Sequence, residues 1–150
     1  MSGGLRSAGL LPYRLANELE VLVAHPGGPY FSRRDNGWWS IVKGMVEAGE
    51  GDEGAAAREF EEETGWLPPG KPWVSLGEVT LKSRKVVVAW GVEADFDVST
   101  LNPGMFSMGT HRYPEIDRVQ WMAPDLARVK LNPILGQFID RLEQHLERGG

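Results

Sequence analysis

Leu19, Val21 and Val23 alternate with Glu20, Leu22 and Ala24 along residues 19–25. Side chains repeating every second position, with β-branched residues among them, predict a strand. Residues 6–13 read as a second strand, joined to the first by a turn near Ala16-Asn17-Glu18. A loop follows over 25–37, punctuated by Pro26-Gly27-Gly28-Pro29, and a short strand over 38–42. Between Asp52 and Gly65 the period changes to that of a helix. Asp52 suits an N-cap and Gly65 a left-handed position just past the end, which predicts a helix over about 53–64. Pro68-Pro69-Gly70 breaks the chain. Residues 73–81 and 85–93 then read as a hairpin around Lys82-Ser83-Arg84, 95–114 as a long loop, and 118–122 as a final strand.

Pro124 fits the first turn of a short helix, and Asn132 with Pro133 the start of a longer one. Ile134, Leu135, Phe138, Ile139, Leu142 and Leu146 form one apolar stripe on it, the signature of a face packed on a core. The order of elements predicts one α+β domain over 1–150, a mixed sheet with helices against it.

Composition narrows the function classes. The net charge of −5 and pI of about 5.2 argue against a general nucleic-acid-binding surface. With no cysteine, thiolate catalysis, disulfides and cysteine zinc sites are excluded. His25, His111 and His145 lack zinc-ligand spacing. No apolar segment approaches the roughly 20 residues of a membrane span, and no long apolar leader is present. The expectation is a cytoplasmic enzyme with a small-molecule substrate, no nucleic acid and no membrane partner. Its oligomeric state is open.

The chemistry concentrates on the predicted helix. At about 100° per residue, Glu59, Glu62 and Glu63 share an arc of about 100°. Ala56, Ala57, Phe60 and Thr64 occupy a neighbouring arc suited to packing, and Glu61 points away. Arg58 precedes Glu62 by four residues and is placed to pair with it. Like charges at this spacing cost about 0.2–0.5 kcal/mol per pair. Clustered hard oxygen donors suit Mg²⁺ or Mn²⁺. Without a cation, the cluster should hold a proton more tightly than an isolated Glu.

Gly44, Glu50 and the run Arg58-Glu59-Phe60-Glu61-Glu62-Glu63-Thr64-Gly65-Trp66 fill every fixed position of the pattern Gly-x5-Glu-x7-Arg-Glu-U-x-Glu-Glu-x-Gly-U, where U is bulky and apolar. This resembles the Nudix hydrolases, which cleave diphosphate linkages in nucleoside diphosphate derivatives. The resemblance implies an α/β/α sandwich with the mixed sheet between the catalytic helix and a C-terminal helix. It implies Glu59, Glu62 and Glu63 as ligands of a divalent cation, with the Gly44 carbonyl as a further ligand and Glu50 close by. Arg58 would orient the glutamates. The base is Glu59 or Glu63 or, as in relatives that use a carboxylate outside the motif, Glu115 or Glu78. Lys43, beside the motif glycine, is the first choice for a phosphate contact; Arg33, Arg34, Lys82, Arg84 and Lys85 follow.

Stretches outside the motif, such as Val23-Ala24-His25-Pro26-Gly27-Gly28-Pro29 and Pro114-Glu115-Ile116-Asp117-Arg118, look like bacterial predicted NTP pyrophosphohydrolases. Residues 43–50 are also similar to the corresponding entry of dinucleoside polyphosphate hydrolases. The resemblance therefore implies a nucleotide pyrophosphohydrolase, with a dinucleoside polyphosphate hydrolase or a non-catalytic nucleotide-binding domain as the alternatives.

Overall fold

Strand β1 (Arg6–Leu15) organises the sheet. One edge pairs in parallel with β5 (Val86–Glu93), from Arg6 opposite Val86 to Tyr13 opposite Glu93. The other edge is divided. Ser7 to Leu10 pair antiparallel with β3 (Val42–Met45), whereas Tyr13 to Leu15 pair with β2 (Leu19–Pro26). β4 (Val74–Thr80) flanks β5, and β8 (Ile116–Met122) flanks β2. The order is β4-β5-β1-β2-β8, with β3 on β1. The structure is a computed structural model describing residues 5–149.

Alternation in the central strands sorts their side chains to two faces. Leu11, Tyr13, Val21, Val23, Val87 and Ala89 join Phe138, Ile139 and Leu142 of α3 (Gly136–Gly149) in one core. Ala8, Leu10, Leu22, Ala24 and Val88 join Ala55, Ala56 and Phe60 of α1 (Asp52–Thr64) in the other. Both faces of β1 are thus covered, and the chain is an α/β/α sandwich. α2 (Pro124–Lys130) adds Ala127 to the α3 side. Phe60 is fully buried, so truncating it to Ala should cost about 3–5 kcal/mol.

Several expectations shift. The strand expected at 38–42 lies instead at Val42–Met45. Trp39 and Ser40 make only isolated bridges, to Leu131 and Ala24. Asp52 is not the N-cap of α1: Gly51 holds that position without a side-chain bond, and Asp52 pairs with Arg6 at 2.7 Å. Ala55 rather than Ala57 belongs to the buried arc. Asn132 Oδ1 accepts from the Ile134 N–H at 3.0 Å, capping a turn that precedes α3 rather than the helix itself. The long loop contains a hairpin, β6 (Met105–Met108) with β7 (His111–Pro114), and a short 3₁₀ turn at Val98–Thr100. Among the described residues, no helix is long and apolar enough to cross a membrane.

Candidate active site

Helix α1 packs through Ala55, Ala56, Phe60 and Thr64, and its Arg58 and Glu59 reach β3 at the Met45 carbonyl and beside Gly44. Gly65, at φ 78°, ends it in the left-handed region, where a side chain is disfavoured. Gly44 on β3 permits a close approach to the helix. A Cβ there would come within 2.0 Å of the Glu59 carboxyl group, so a larger residue would displace that carboxylate.

Arg58 gathers the acidic groups. Its Nε donates to Glu50 Oε2 at 2.8 Å and its Nη2 to Glu50 Oε1 at 3.0 Å. Nη1 donates to Glu59 Oε2 at 2.8 Å and to Glu62 Oε1 at 3.1 Å. Nη2 also reaches the Met45 carbonyl at 2.9 Å, which fastens the helix to β3. Glu50 additionally accepts from the Glu47 N–H at 3.0 Å. The Arg58 bond, followed by this backbone bond, lowers its pKa to about 2. The expected Arg58–Glu62 pair is present, but two of the three guanidinium nitrogens serve Glu50.

Glu63 stands apart from that guanidinium. Burial, then the nearby charges of Glu115, Glu59 and Glu62, pushes its pKa up to about 7, with Lys43 opposing. Burial also raises Glu59, against the opposing bond from Arg58. Lys43 is lowered to about 8, first by burial and then by Lys85, with Glu63 opposing.

Lys43, Glu63 and Glu115 line one cavity of about 160 Å³, together with Ala24, Pro26, Ser40, Ile41 and Ile116. It lies by the split where β2 and β3 take different parts of β1's edge. A larger cavity, about 580 Å³, lies beside Tyr13, Trp73 and His145 and holds none of the expected site residues. The smaller one is the better candidate because it carries the titratable groups that the acidic helix face presents.

Arg33 and Arg84, expected at phosphate, are not brought to this cavity. Arg33 is exposed in the loop after β2, and Arg84 sits at φ 74° in the tight turn between β4 and β5. Glu78, the other outside carboxylate, pairs with Arg6 at 3.1 Å. Glu61 is exposed, as its helical phase requires.

The donor chemistry of the acidic face fits a hard divalent cation. The carboxylates supply oxygen only, and Glu63, raised first by burial and then by the neighbouring carboxylates, carries a charge penalty that a cation would relieve. Among the described residues, however, no three acidic or histidine side chains stand ready as a ligand group. Arg58 already satisfies Glu59 and Glu62, so a cation there must compete with the guanidinium.

A family model described as NUDIX domain matches residues 5–142. No curated protein matches the sequence. Solved structures do. The chain is 21% identical to a C. elegans Ap4A hydrolase in a binary complex, with a TM-score of 0.68 over 95% of this chain and 98% of that one. The NUDIX domain of Shewanella oneidensis NrtR, complexed with ADP ribose, is 17% identical, with a TM-score of 0.69 over 97% and 90%. A MutT protein from Methanosarcina mazei Go1 is 20% identical, with a TM-score of 0.67 over 97% of each chain. At these identities the likeness is one of fold.

Proposed function

The chain belongs to the NUDIX domain family, and from that premise we propose that it is a divalent-cation-dependent hydrolase of diphosphate linkages in nucleoside triphosphates or related nucleoside diphosphate derivatives. One observation carries the reading: Lys43, Glu63 and Glu115 open on one cavity beside the carboxylates ordered by Arg58.

Each residue has a distinct task. The Lys43 ammonium binds phosphate oxygens, and half-burial strengthens that attraction. Glu59, Glu62 and Glu63, with the Gly44 carbonyl, would hold Mg²⁺ or Mn²⁺. When bound, such a cation supplies charge neutralisation on the diphosphate oxygens and a lower pKa for the attacking water. Glu50, whose two oxygens are committed to Arg58 and to the Glu47 N–H, fixes Arg58. Glu115 makes no side-chain hydrogen bond among the described residues and faces the same cavity. It takes a proton from water as the water oxygen bonds to phosphorus and the anhydride P–O bond breaks.

Neighbours named for Ap4A hydrolase and for MutT have nearly equal TM-scores. They support the shared diphosphate chemistry without separating triphosphate from dinucleoside polyphosphate substrates. The test is Mg²⁺-dependent turnover of nucleoside triphosphates, dinucleoside polyphosphates and nucleoside diphosphate sugars, with product analysis, for the wild type beside Glu63→Gln and Glu115→Gln. Each variant should lose about a hundredfold or more in kcat. Wild-type turnover that needs no divalent cation, or that survives in both variants, rejects the assignment.

A further inference from the structure

His25 is fully buried and has acceptors on both sides. Its Nε2 lies 2.7 Å from the Arg34 carbonyl oxygen and its Nδ1 2.9 Å from Asp117 Oδ1. A carbonyl only accepts, so Nε2 carries a proton and donates it. Nδ1 faces the Asp117 carboxylate, so the ring bridges the Arg34 carbonyl and Asp117. Trp39 sets its ring near-edgewise to His25, with centroids 5.2 Å apart. Trp39 in turn carries the Arg118 guanidinium over its ring and donates to Asp35, which is paired with Lys130.

The location gives this pair a consequence. β2 and β8 pair in regular register as far as His25 opposite Arg118, and then Pro26 lies opposite Ile116. Asp117 is thus the extra residue of a β-bulge, a device that bends a strand and re-aims its neighbours. The residue re-aimed is Glu115, two positions away. Its carbonyl accepts from the Gly27 N–H at 2.9 Å, and its own N–H donates to the Gly104 carbonyl at 2.8 Å. A Cβ at Gly27 would meet the Pro114 oxygen at 1.9 Å, so the loop base and the bulge fit only at this close approach.

We propose that Asp117 and His25 are a positioning pair: they hold the bulge that presents Glu115 to the cavity, and through the Arg34 carbonyl they tie it to the loop after β2. The kinetic part rests on the role given to Glu115 in the hydrolase reading; the structural part does not.

Two substitutions at Asp117, an exposed residue, separate positioning from general stability. Asp117→Ala removes the acceptor. Asp117→Asn keeps a partner, because its amide N–H donates to Nδ1 of a neutral ring while Nε2–H still serves Arg34. Asp117→Ala should speed hydrogen exchange at the Gly27 and Glu115 amides about tenfold and lower kcat about tenfold at constant KM. Asp117→Asn should keep both within about twofold of wild type. In a Glu115→Gln background, Asp117→Ala should lower kcat no further, since the group being positioned is gone. Unchanged exchange in Asp117→Ala overturns the proposal, as does an equal loss of kcat with and without Glu115. Exchange needs no substrate. A protein with no turnover would count against the hydrolase reading, while exchange would still decide whether the pair holds the bulge.

Discussion

The Glu59 carboxyl group occupies the space that a side chain on Gly44 would need: a Cβ built there would lie 2.0 Å from it. The motif glycine is therefore required by contact with the motif glutamate as well as by its place in β3. Gly44→Ala should push Glu59 away from Arg58 and lower kcat about a hundredfold, the scale on which a displacement near 1 Å acts. The fold should persist, because Gly44 is not part of either core. Steady-state kinetics beside a thermal melt separates the two effects. Wild-type kcat in a folded Gly44→Ala protein would show that Glu59 has no required position.

Arg58 links β3, Glu50, Glu59 and Glu62, so its removal should have two effects. Arg58→Ala leaves three carboxylates without their common counter-charge. Buried pairs broken on one side cost about 3–5 kcal/mol, and surface pairs about 0–1. These groups are partly exposed, which places the loss at roughly 1–3 kcal/mol. Freed from the guanidinium, the same carboxylates should gain more from a divalent cation. Mg²⁺ should then raise Tm further in Arg58→Ala than in the wild type, by mass action on the folded state. Equal Mg²⁺-induced shifts would place the cation elsewhere.

The helix chemistry was legible because Arg58 to Trp66 are contiguous and one helical period converts their order into faces. The α3 stripe through Phe138, Ile139 and Leu142 was legible for the same reason, whereas helices on both faces of the sheet were implied by the family resemblance and not by the residue pattern. Contacts distant in sequence were not legible. Asp52 has the composition of an N-cap, yet the long-range pair with Arg6 takes its carboxylate. The Met105–Pro114 hairpin has strands of only four residues, with Gly109 at φ 64° as its main turn signal. His25 is an ordinary residue in a strand pattern until the bulge brings Asp117, 92 positions later, to its ring. The cavity likewise depends on how β2 and β3 divide the edge of β1, which no local pattern encodes.

Glu63 yields a prediction about stability in the absence of cations. Its folded pKa, raised to about 7, exceeds the ordinary carboxylate value of an unfolded chain. The folded state thus binds the proton more tightly. The associated stability is fully present below the unfolded pKa of about 4.3 and is lost as pH rises through about 7. In EDTA, Glu63→Gln should therefore be more stable than the wild type at pH 8, on the order of 1 kcal/mol after allowance for solvent screening. The advantage should shrink toward pH 4.5. Chemical denaturation at the two pH values measures it, and a constant difference would show that Glu63 ionises without penalty.

Lys43 gives the complementary pH dependence in catalysis. Its pKa is lowered to about 8, chiefly by burial and next by Lys85. As pH rises through that value the free enzyme loses a positive charge from the cavity wall, so kcat/KM for an anionic diphosphate should fall above about pH 8. Substrate phosphates favour the ammonium form, which moves the corresponding inflection in kcat to higher pH. The fall should therefore appear mainly as a rise in KM. Lys43→Ala should raise KM about tenfold at pH 7 and remove this alkaline limb. Lys43→Arg separates charge from shape: it keeps the positive charge throughout this range, so the limb should be absent even if KM is altered. An alkaline limb that persists unchanged in both variants would assign the titration to another group and take Lys43 out of substrate binding.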